Sequence, residues 1–321
     1  MRREGSPWQG LGAVVVKEVA DHLDGARMVF LGLLTLACAA VPLFVMVFLA
    51  GREQSAEGPY LQLFSSGGLS VVLMLTIALP LVAIGLGFDA ISGEHSRRTL
   101  SRILAQPIYR DALLAGKFIA GLFVLAVNLL CLWLLVVGFG LYKLGLPPSS
   151  EEFVRSLIFI GLAIVYAGVW LALAMLFSVL FRSSATAALL SLGIWLFLTW
   201  LWPMIAAILA FVISPPRFQL VDLSGRSILD PATEGWQQTL ARMAPNRLFE
   251  DAVSAILSPT THSLGPVLDQ VRQMQGVVGD AALPLGESLL IAWPLTVGLI
   301  ASVIVLFVLT YVAFQRQEVR A

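Results

Sequence analysis

The sequence predicts an all-α integral membrane protein with six transmembrane helices. Of its 321 residues, 58% are hydrophobic and 12% are charged, and the mean hydropathy is +0.88. Soluble domains carry about 25% charged residues, so a soluble fold is excluded. Six apolar runs are long enough to cross a hydrocarbon layer of about 30 Å, which takes about 20 helical residues. These runs lie near residues 28–50, 68–88, 118–142, 156–181, 185–213 and 288–314.

The segment before the first run, residues 1–27, predicts a helix that lies in the membrane interface. Apolar residues recur there with helical spacing, while charged residues occupy the other faces, which is typical of an interfacial helix. The apolar set is Trp8, Leu11, Val15, Val19 and Leu23, and the charged set is Lys17, Glu18, Asp21 and Asp24. The alternative is that this segment is only the frayed start of the first span.

A hydrophilic stretch, residues 89–117, separates the second and third runs and predicts a short amphipathic helix. Ser92 and Gly93 can begin this helix, and the carboxylate of Glu94 favours its positive N-terminal end. Its apolar and charged residues fall on different faces. The apolar face holds Leu100, Ile103 and Leu104, the exposed face holds Arg97, Arg98 and Arg102, and Pro107 ends the helix. Two interpretations remain open, a solvated loop or a helix that docks on a cytoplasmic partner.

The distribution of cations predicts the orientation of the chain. With the amino terminus inside, twelve cations are cytoplasmic and three lie in short outer loops, and cytoplasmic loops are the ones enriched in Lys and Arg. The first group is Arg2, Arg3, Lys17, Arg27, Arg97, Arg98, Arg102, Arg110, Lys117, Arg182, Arg316 and Arg320, and the second is Arg52, Lys143 and Arg155. We therefore expect a protein of the cytoplasmic (inner) membrane with both termini in the cytoplasm.

A long outer loop, residues 214–287, precedes the last span and predicts a small helical cap. Its segment RLFEDAVSAIL follows Pro245 and Asn246 and precedes Pro259, as expected for a helix with defined ends. Leu248, Phe249, Ala252, Val253 and Ile256 share one face of this helix. A second, weaker helix is predicted at 267–275. The cap could contact substrate or an extracytoplasmic partner, or it could serve packing alone.

Several function classes lack their sequence signatures. No charged residue lies in the middle of a predicted span, whereas ion-coupled carriers usually place one there. The P-loop pattern is absent, because Gly116 and Lys117 are followed by Phe118 and the pattern needs Ser or Thr. Neither Cys38 and Cys131 nor the three histidines are spaced as metal ligands, so no metal, other cofactor or catalytic residue is expected in this chain. Any ATPase must be another polypeptide, and no nucleic-acid partner is expected.

The 89–117 stretch resembles the signature of ABC-2 type transporter permeases, membrane subunits that pair with separate ATP-binding subunits. The usual pattern is an acidic residue, Gly-Glu, Gly-Thr-Leu, an apolar pair, Pro, a basic residue and Gly-Lys. The matching positions are Asp89, Gly93-Glu94, Thr99-Leu100, Ile103-Leu104, Pro107, Arg110 and Gly116-Lys117, and Arg98 departs from the pattern by replacing a glycine. Within the family, the chain is most similar to the group that contains the permease for nitrous oxide reductase maturation.

The resemblance implies an organisation and a set of partners. Residues 1–27 form a cytoplasmic tail and interfacial helix, 28–213 hold spans one to five with a coupling helix at 93–111, 214–287 form the outer loop, and 288–321 hold the last span and a cytoplasmic tail. The residues expected to contact the ATP-binding subunit are Gly93, Glu94, Arg97, Arg98, Leu100, Arg102, Ile103, Leu104 and Pro107. Two ATP-binding subunits, which bind ATP and Mg, are expected to work with two permease copies in the lipid membrane.

Two functions follow from this resemblance, and a third remains outside it. The first is an exporter that moves an unidentified cargo. The second is a mechanotransmitter without substrate, which passes ATPase-driven motion to an extracytoplasmic partner. The third is a membrane scaffold or enzyme with no ATPase partner.

Overall fold

The structure, a computed structural model, describes residues 10–48, 59–65, 70–96, 110–215, 220–221, 227–228, 231–258 and 283–316. The described part is almost entirely helical. Its α-helices are α1 (Leu11–Leu23), α2 (Ala26–Phe48), α3 (Pro59–Ser65), α4 (Val71–Gly87), α5 (Ser92–Ser96), α6 (Arg110–Leu144), α7 (Ser150–Leu180), α8 (Ser184–Leu196), α9 (Trp202–Ile213), α10 (Pro231–Ala241), α11 (Pro245–Leu257) and α12 (Leu285–Arg316). A π-helical turn, Phe197–Leu201, joins α8 to α9, and two short antiparallel strands, β1 (Leu220–Val221) and β2 (Ser227–Ile228), follow α9.

Five helical segments among the described residues are long and apolar enough to cross a membrane. They are Val71–Ser96, Arg110–Lys143, Ser150–Leu180, Ser184–Ile213 and Leu285–Arg316. The count becomes six if α1 and α2, which are bent by 71° relative to each other, are taken together as one span. The multispan helical class predicted from composition is therefore confirmed, while the count of six remains a prediction.

Two helices begin well before the apolar runs that predicted them. The third run was placed at 118–142, but α6 begins at Arg110, and the fourth was placed at 156–181, but α7 begins at Ser150. At the start of α7, Ser149 and Glu152 form a capping box that satisfies the first backbone N–H groups of the helix. Charged and polar residues can continue a helix past the apolar layer when such partners are present, so hydropathy alone underestimates helix length.

The long helices define two ends of the bundle, which we call the Lys117 end and the Arg155 end. The start of α6, the end of α7 and the start of α8 lie at the Lys117 end. Gln315 near the end of α12 donates a hydrogen bond to Asp111 of α6, which places the end of α12 there as well. The end of α6, the start of α7 and the start of α12 lie at the Arg155 end.

The fifth apolar run is interrupted by the π-helical turn at Phe197–Leu201. Pro203 follows two residues later and has no backbone N–H to donate to the carbonyl of Thr199, which favours a widened turn at this point. This composite segment packs less closely on the rest of the chain than the other spans do. Only 11% of the most apolar stretch of Ser184–Ile213 is buried against the rest of the chain, compared with 72% of the most apolar stretch of α7.

Helices α10 and α11 form a hairpin that turns back along the spans. The hydroxyl of Thr233, near the start of α10, donates to the carbonyl of Ser214 at the end of α9. The indole N–H of Trp202, at the start of α9, donates to the carbonyl of Leu240 near the end of α10. Helix α10 therefore runs antiparallel to α9, from the Arg155 end toward the middle of the bundle. The chain turns at 242–244, and α11 returns to the Arg155 end.

Helix α11 is the helix that the segment RLFEDAVSAIL predicted, and it is packed into the bundle. It contacts α4, α7 and α12, and Phe249, Ala252, Val253 and Ile256 on its apolar face are buried, while Leu248 is partly buried. The ring of Phe249 stacks on Tyr166, which lies near the middle of α7, with 4.5 Å between ring centroids and 8° between planes. The hydroxyl of Tyr166 donates to the carbonyl of Thr76 in α4. The weaker helix predicted at 267–275 lies outside the described residues.

Candidate functional site

The side chain of Lys117 joins three segments at the Lys117 end. Its ammonium group lies 2.9 Å from Oε1 of Glu18 in α1 and 2.7 Å from Oε1 of Glu94 in α5. The Lys117 side chain is buried, and both carboxylates are largely shielded from solvent. A buried charge is tolerated only with close partners of opposite sign. These contacts therefore place a charged link between α1 and the start of the predicted coupling helix.

The pKa of the Glu18 carboxyl is determined by two opposing effects. Burial is the largest single effect and would raise its pKa, but the charges and hydrogen bonds of Lys117 and Lys17 together outweigh it. Lys17 adds to the same effect from the exposed side of α1. The pKa of Glu18 is therefore lowered, and the carboxylate is ionised near neutral pH.

Helix α1 approaches α6 closely because residue 116 is a glycine. A Cβ atom added at Gly116 would lie 2.6 Å from Cγ1 of Val14, which is shorter than real carbon–carbon contacts. Val14 and Glu18 are one helical turn apart, and they are the buried residues of α1. Gly116 therefore provides the space, and Lys117 provides the charge partner, for the same face of α1.

The face of α1 that packs on α6 is distinct from the apolar set that the sequence predicts to lie in the membrane interface. The predicted apolar set included Leu11, Val15, Val19 and Leu23, with Glu18 on another face. In the structure Glu18 is buried and Leu23 is 52% exposed. The interfacial placement of that apolar set remains a prediction. The spacing did not indicate the contact with α6, because there an ion pair with Lys117 brings a carboxylate into the buried face.

A cluster of serines holds the start of the 89–117 stretch against the end of α7 and the start of α8. The backbone N–H groups of Ile91 and Ser92 donate to Oγ of Ser178, at 2.9 and 3.0 Å. The hydroxyl of Ser92 lies 3.2 Å from that of Ser178 and 2.9 Å from that of Ser184, which begins α8. The segment after α4 is thus bonded to the end of one span and the start of the next.

Two of the nine residues that the signature predicted to contact an ATP-binding subunit lie within this arrangement. Gly93 is buried, and its N–H donates to the carbonyl of Asp89, while Glu94 binds Lys117. The helix predicted to begin at Ser92 or Gly93 does begin there, as α5. The other seven, Arg97, Arg98, Leu100, Arg102, Ile103, Leu104 and Pro107, lie outside the described residues, so their role remains a prediction.

A second buried cation, Arg155, lies at the opposite end of the bundle. It was assigned to a short outer loop from the sequence, but it is inside α7 and only 1% exposed. Its guanidinium donates to the carbonyls of Ile256 and Leu283, each at 2.7 Å, and to the hydroxyl of Ser288 at 3.0 Å. Glu151 supplies the charge partner at 2.8 Å. Arg155 therefore bonds α7 to the end of the α10–α11 hairpin and to the start of the last span.

The sequence contained partial signals for these contacts. Gly116-Lys117 was identified as part of the signature, but nothing in the pattern indicated that Glu18 is its partner, almost a hundred residues earlier. Ser178, Ser184 and Arg155 carried no signal, because a serine or arginine at the end of an apolar run is common. Within the described residues, no group of three or more His, Cys, Asp or Glu side chains is arranged to hold a metal ion.

Comparisons with known proteins agree with the signature in the 89–117 stretch. A family model described as ABC-2 family transporter protein matches residues 11–319. The chain is similar to two proteins named "Probable ABC transporter permease protein NosY". With the one from Pseudomonas aeruginosa it shares 31% identity over 150 residues, which is 45% of this chain and 52% of that protein. With the one from Stutzerimonas stutzeri it shares 28% identity over 168 residues, which is 50% of this chain and 58% of that protein.

The matches to these curated relatives span only about half of their length. The family match, by contrast, covers nearly the whole chain and all of the contacts described above. The chain therefore belongs to the ABC-2 transporter family, as a membrane-spanning permease.

Proposed function

We propose that this chain is the permease subunit of an exporter driven by a separate ATP-binding subunit. Two permease copies and two ATP-binding subunits form the complex in the cytoplasmic membrane, with ATP and Mg bound on the ATP-binding subunits. A permease with this many spans forms only half of an enclosed route, and a C2 dimer is the commonest way to complete one. The observation that carries the proposal is the double ion pair of Lys117, because it connects the predicted coupling stretch to the spans.

The proposed mechanism uses the contacts at the Lys117 end. The apolar residues Leu100, Ile103 and Leu104 insert in a cleft of the ATP-binding subunit, and the arginines beside them pair with acids or with anionic lipid. Closure of the two ATP-binding subunits moves this stretch. Glu94 transmits the motion through Lys117 to α6 and α1, while Ser92 transmits it through Ser178 and Ser184 to α7 and α8. The motion then shifts the two copies between inward- and outward-facing packings.

The experiment compares Leu104→Asp with Arg102→Ala. If Leu104 docks in the cleft, the substitution buries an unpaired carboxylate, which costs several kcal/mol and reduces association by orders of magnitude. Arg102→Ala removes an exposed charge whose pairing is worth about 0–1 kcal/mol, so it is the matched mild variant. The readouts are pull-down of the candidate ATP-binding subunit and permease-stimulated ATP hydrolysis, with abundance in the membrane as control. If Leu104→Asp gives wild-type pull-down and ATP hydrolysis at normal abundance, this stretch is a solvated loop and does not dock on the ATP-binding subunit.

The stoichiometry needs its own measurement. Native mass spectrometry of the purified complex is expected to show two permeases and two ATP-binding subunits. A stable permease monomer in the presence of its candidate partner would contradict the proposal.

The mechanotransmitter remains the second candidate, and Arg155 favours it. Arg155 bonds α7 to the α10–α11 hairpin and to the start of α12. Motion of α7 at the Lys117 end is therefore carried to the hairpin at the Arg155 end. ATP-dependent transport of a defined cargo in liposomes separates the two functions. Stimulated ATP hydrolysis without transport, together with binding of an extracytoplasmic protein, would identify the mechanotransmitter.

A further inference from the structure

The tip of the α10–α11 hairpin lies deep beside an apolar span. Trp202, which bonds Leu240 near the end of α10, is eleven residues before the end of α9 at Ile213, or about 17 Å along a helix. This is roughly half of a hydrocarbon layer of about 30 Å. The outward face of α9 stays apolar over that whole distance, with Met204, Ile208 and Val212 all more than 60% exposed. The tip is therefore inside the apolar layer.

The hairpin carries charged side chains at this depth. Arg242, in the turn, lies 2.9 Å from a carboxylate oxygen of Asp251. Arg247, at the start of α11, lies 3.2 Å from Asp251 and 3.3 Å from Glu250. These four residues, which we call the tip cluster, retain between 13% and 43% of their side-chain exposure. Above them, Gln238 bonds Glu234 along α10, so the polar face continues toward the Arg155 end.

Partly exposed charges cannot face hydrocarbon at this depth. Ionised side chains within a membrane face a water-filled cavity or other protein groups, because lipid offers them no solvation. The tip cluster contains two arginines and two acids, so the charges balance. This balance favours water and uncharged or zwitterionic groups over a net anion or cation.

Two buried polar atoms near the tip add an independent observation. Oδ1 of Asn246, at the start of α11, and Oγ1 of Thr199, in the π-helical turn, are shielded from solvent and have no hydrogen-bond partner among the described residues. The π-helical turn contacts α11, so both atoms belong to the same region. Buried polar atoms of this kind usually bond ordered water or a ligand.

We propose that the polar face of the hairpin lines a water-filled vestibule that opens at the Arg155 end and has the tip cluster as its floor. Resting on the proposed function, the vestibule receives the polar part of an amphipathic cargo on its way out. Its floor is neutral overall and selects no sign of charge.

Cysteine accessibility tests this inference without cargo or ATPase, so its result is independent of the proposed function. On a background in which Cys38 and Cys131 are replaced, Gln238→Cys is the probe on the polar face. Met204→Cys is the control at similar depth on the apolar face, and Leu146→Cys in the exposed turn after α6 is the reference for the Arg155 end. Two membrane-impermeant methanethiosulfonate reagents, one cationic and one anionic, are added to the side from which Leu146→Cys reacts. Because the reaction of Leu146→Cys identifies the side of the membrane that the Arg155 end faces, the test does not assume the predicted orientation.

We expect clearly different reaction rates at the two deep positions, Gln238→Cys and Met204→Cys. Because the thiolate is the reactive form and needs water, Gln238→Cys should react within about tenfold of the reference, and Met204→Cys about a hundredfold more slowly or not at all. The cationic and anionic reagents should give similar ratios to the reference. Thr239→Cys, exposed beside Gln238, repeats the test if Gln238→Cys is poorly produced.

Three results would overturn the inference. Protection of both Gln238→Cys and Thr239→Cys, with a reactive reference, would mean that protein or lipid covers the polar face. Equal reaction of Met204→Cys would mean that the hairpin does not separate water from the apolar layer. A strong preference for the anionic reagent would mean that the arginines dominate the floor and that its charge is not balanced.

Discussion

The ammonium group of Lys117 lies 2.7 Å from the carboxylate of Glu94, within the segment that follows the second predicted span. Glu18 approaches the same ammonium group from α1 at 2.9 Å. One lysine thus holds two carboxylates from segments far apart in sequence. Removal of this lysine leaves two acids close together with little solvent.

Lys117→Met is expected to lower stability and to uncouple ATP hydrolysis. Loss of one partner from a buried ion pair typically costs about 3–5 kcal/mol, because the remaining charge is buried without compensation. The measurements are the thermal unfolding midpoint of the purified permease and its stimulation of the ATP-binding subunit. Lys17→Met is the control. It removes an exposed lysine of α1 that pairs with Asp21 and also approaches Glu18, so it should change little. Wild-type values for Lys117→Met would show that the ion pairs contribute nothing to either property.

Glu18 makes this contact dependent on pH. Its pKa is lowered in the folded protein, so its contribution to stability is present above the pKa of the unfolded chain and is lost as the pH falls through the lower folded value. Wild type should therefore be more stable than Glu18→Gln at neutral pH, and the difference should shrink on acidification below the ordinary glutamate range. Thermal midpoints measured from neutral to acidic pH give the comparison. A difference that is constant or grows with acid would contradict the assigned role of Glu18.

Gly116→Ala and Gly161→Ala should have opposite effects. At Gly116 the new methyl group meets Val14 at 2.6 Å and forces α1 away from α6, while at Gly161 it meets no atom within 4 Å. Overpacking costs about 1–3 kcal/mol, whereas alanine in an open helical position gains roughly 0.5–1 kcal/mol over glycine. Thermal midpoints of the two variants at equal abundance provide the test. Equal midpoints would show that α1 does not pack closely on α6.

Arg155→Gln is expected to loosen the α10–α11 hairpin. It leaves the carbonyls of Ile256 and Leu283 without their donor, and each unsatisfied buried group costs about 1–3 kcal/mol. The readout is limited proteolysis within residues 231–258, together with the thermal midpoint. Glu151→Gln keeps the arginine and changes only its half-exposed partner, so it should be milder. A cleavage pattern identical to wild type would show that Arg155 does not hold the α10–α11 hairpin in place.

The predicted orientation can be tested at residue 230, in the long segment before the last span. On the background without Cys38 and Cys131, Asp230→Cys should react with an impermeant thiol reagent in intact cells. The reason is the excess of cations in the segments predicted to be cytoplasmic. Reaction only after the membrane is opened from the cytoplasmic side would reverse the orientation and place the long segment inside.

The sequence by itself determined the class of the fold and the family. Long apolar runs can satisfy their backbone only as helices when they lie in lipid, so composition and run length were enough for a multispan helical protein. The helix at 245–257 was also predictable, because its apolar residues recur every three or four positions between two prolines. The signature in 89–117 identified the family, which the match over residues 11–319 confirms.

Only the tertiary structure decided which polar side chains meet. Glu18 and Lys117 are 99 positions apart, and Arg155 bonds a carbonyl 101 positions away, so no local pattern joins them. The hairpin at α10–α11 was interpreted from the sequence as an outer cap, because charged residues normally indicate solvent. Its packing alongside the spans depends on the bond of Trp202 and the stacking of Phe249 on Tyr166. Burial of a charge depends on its partners in space, and the order of residues along the chain does not specify them.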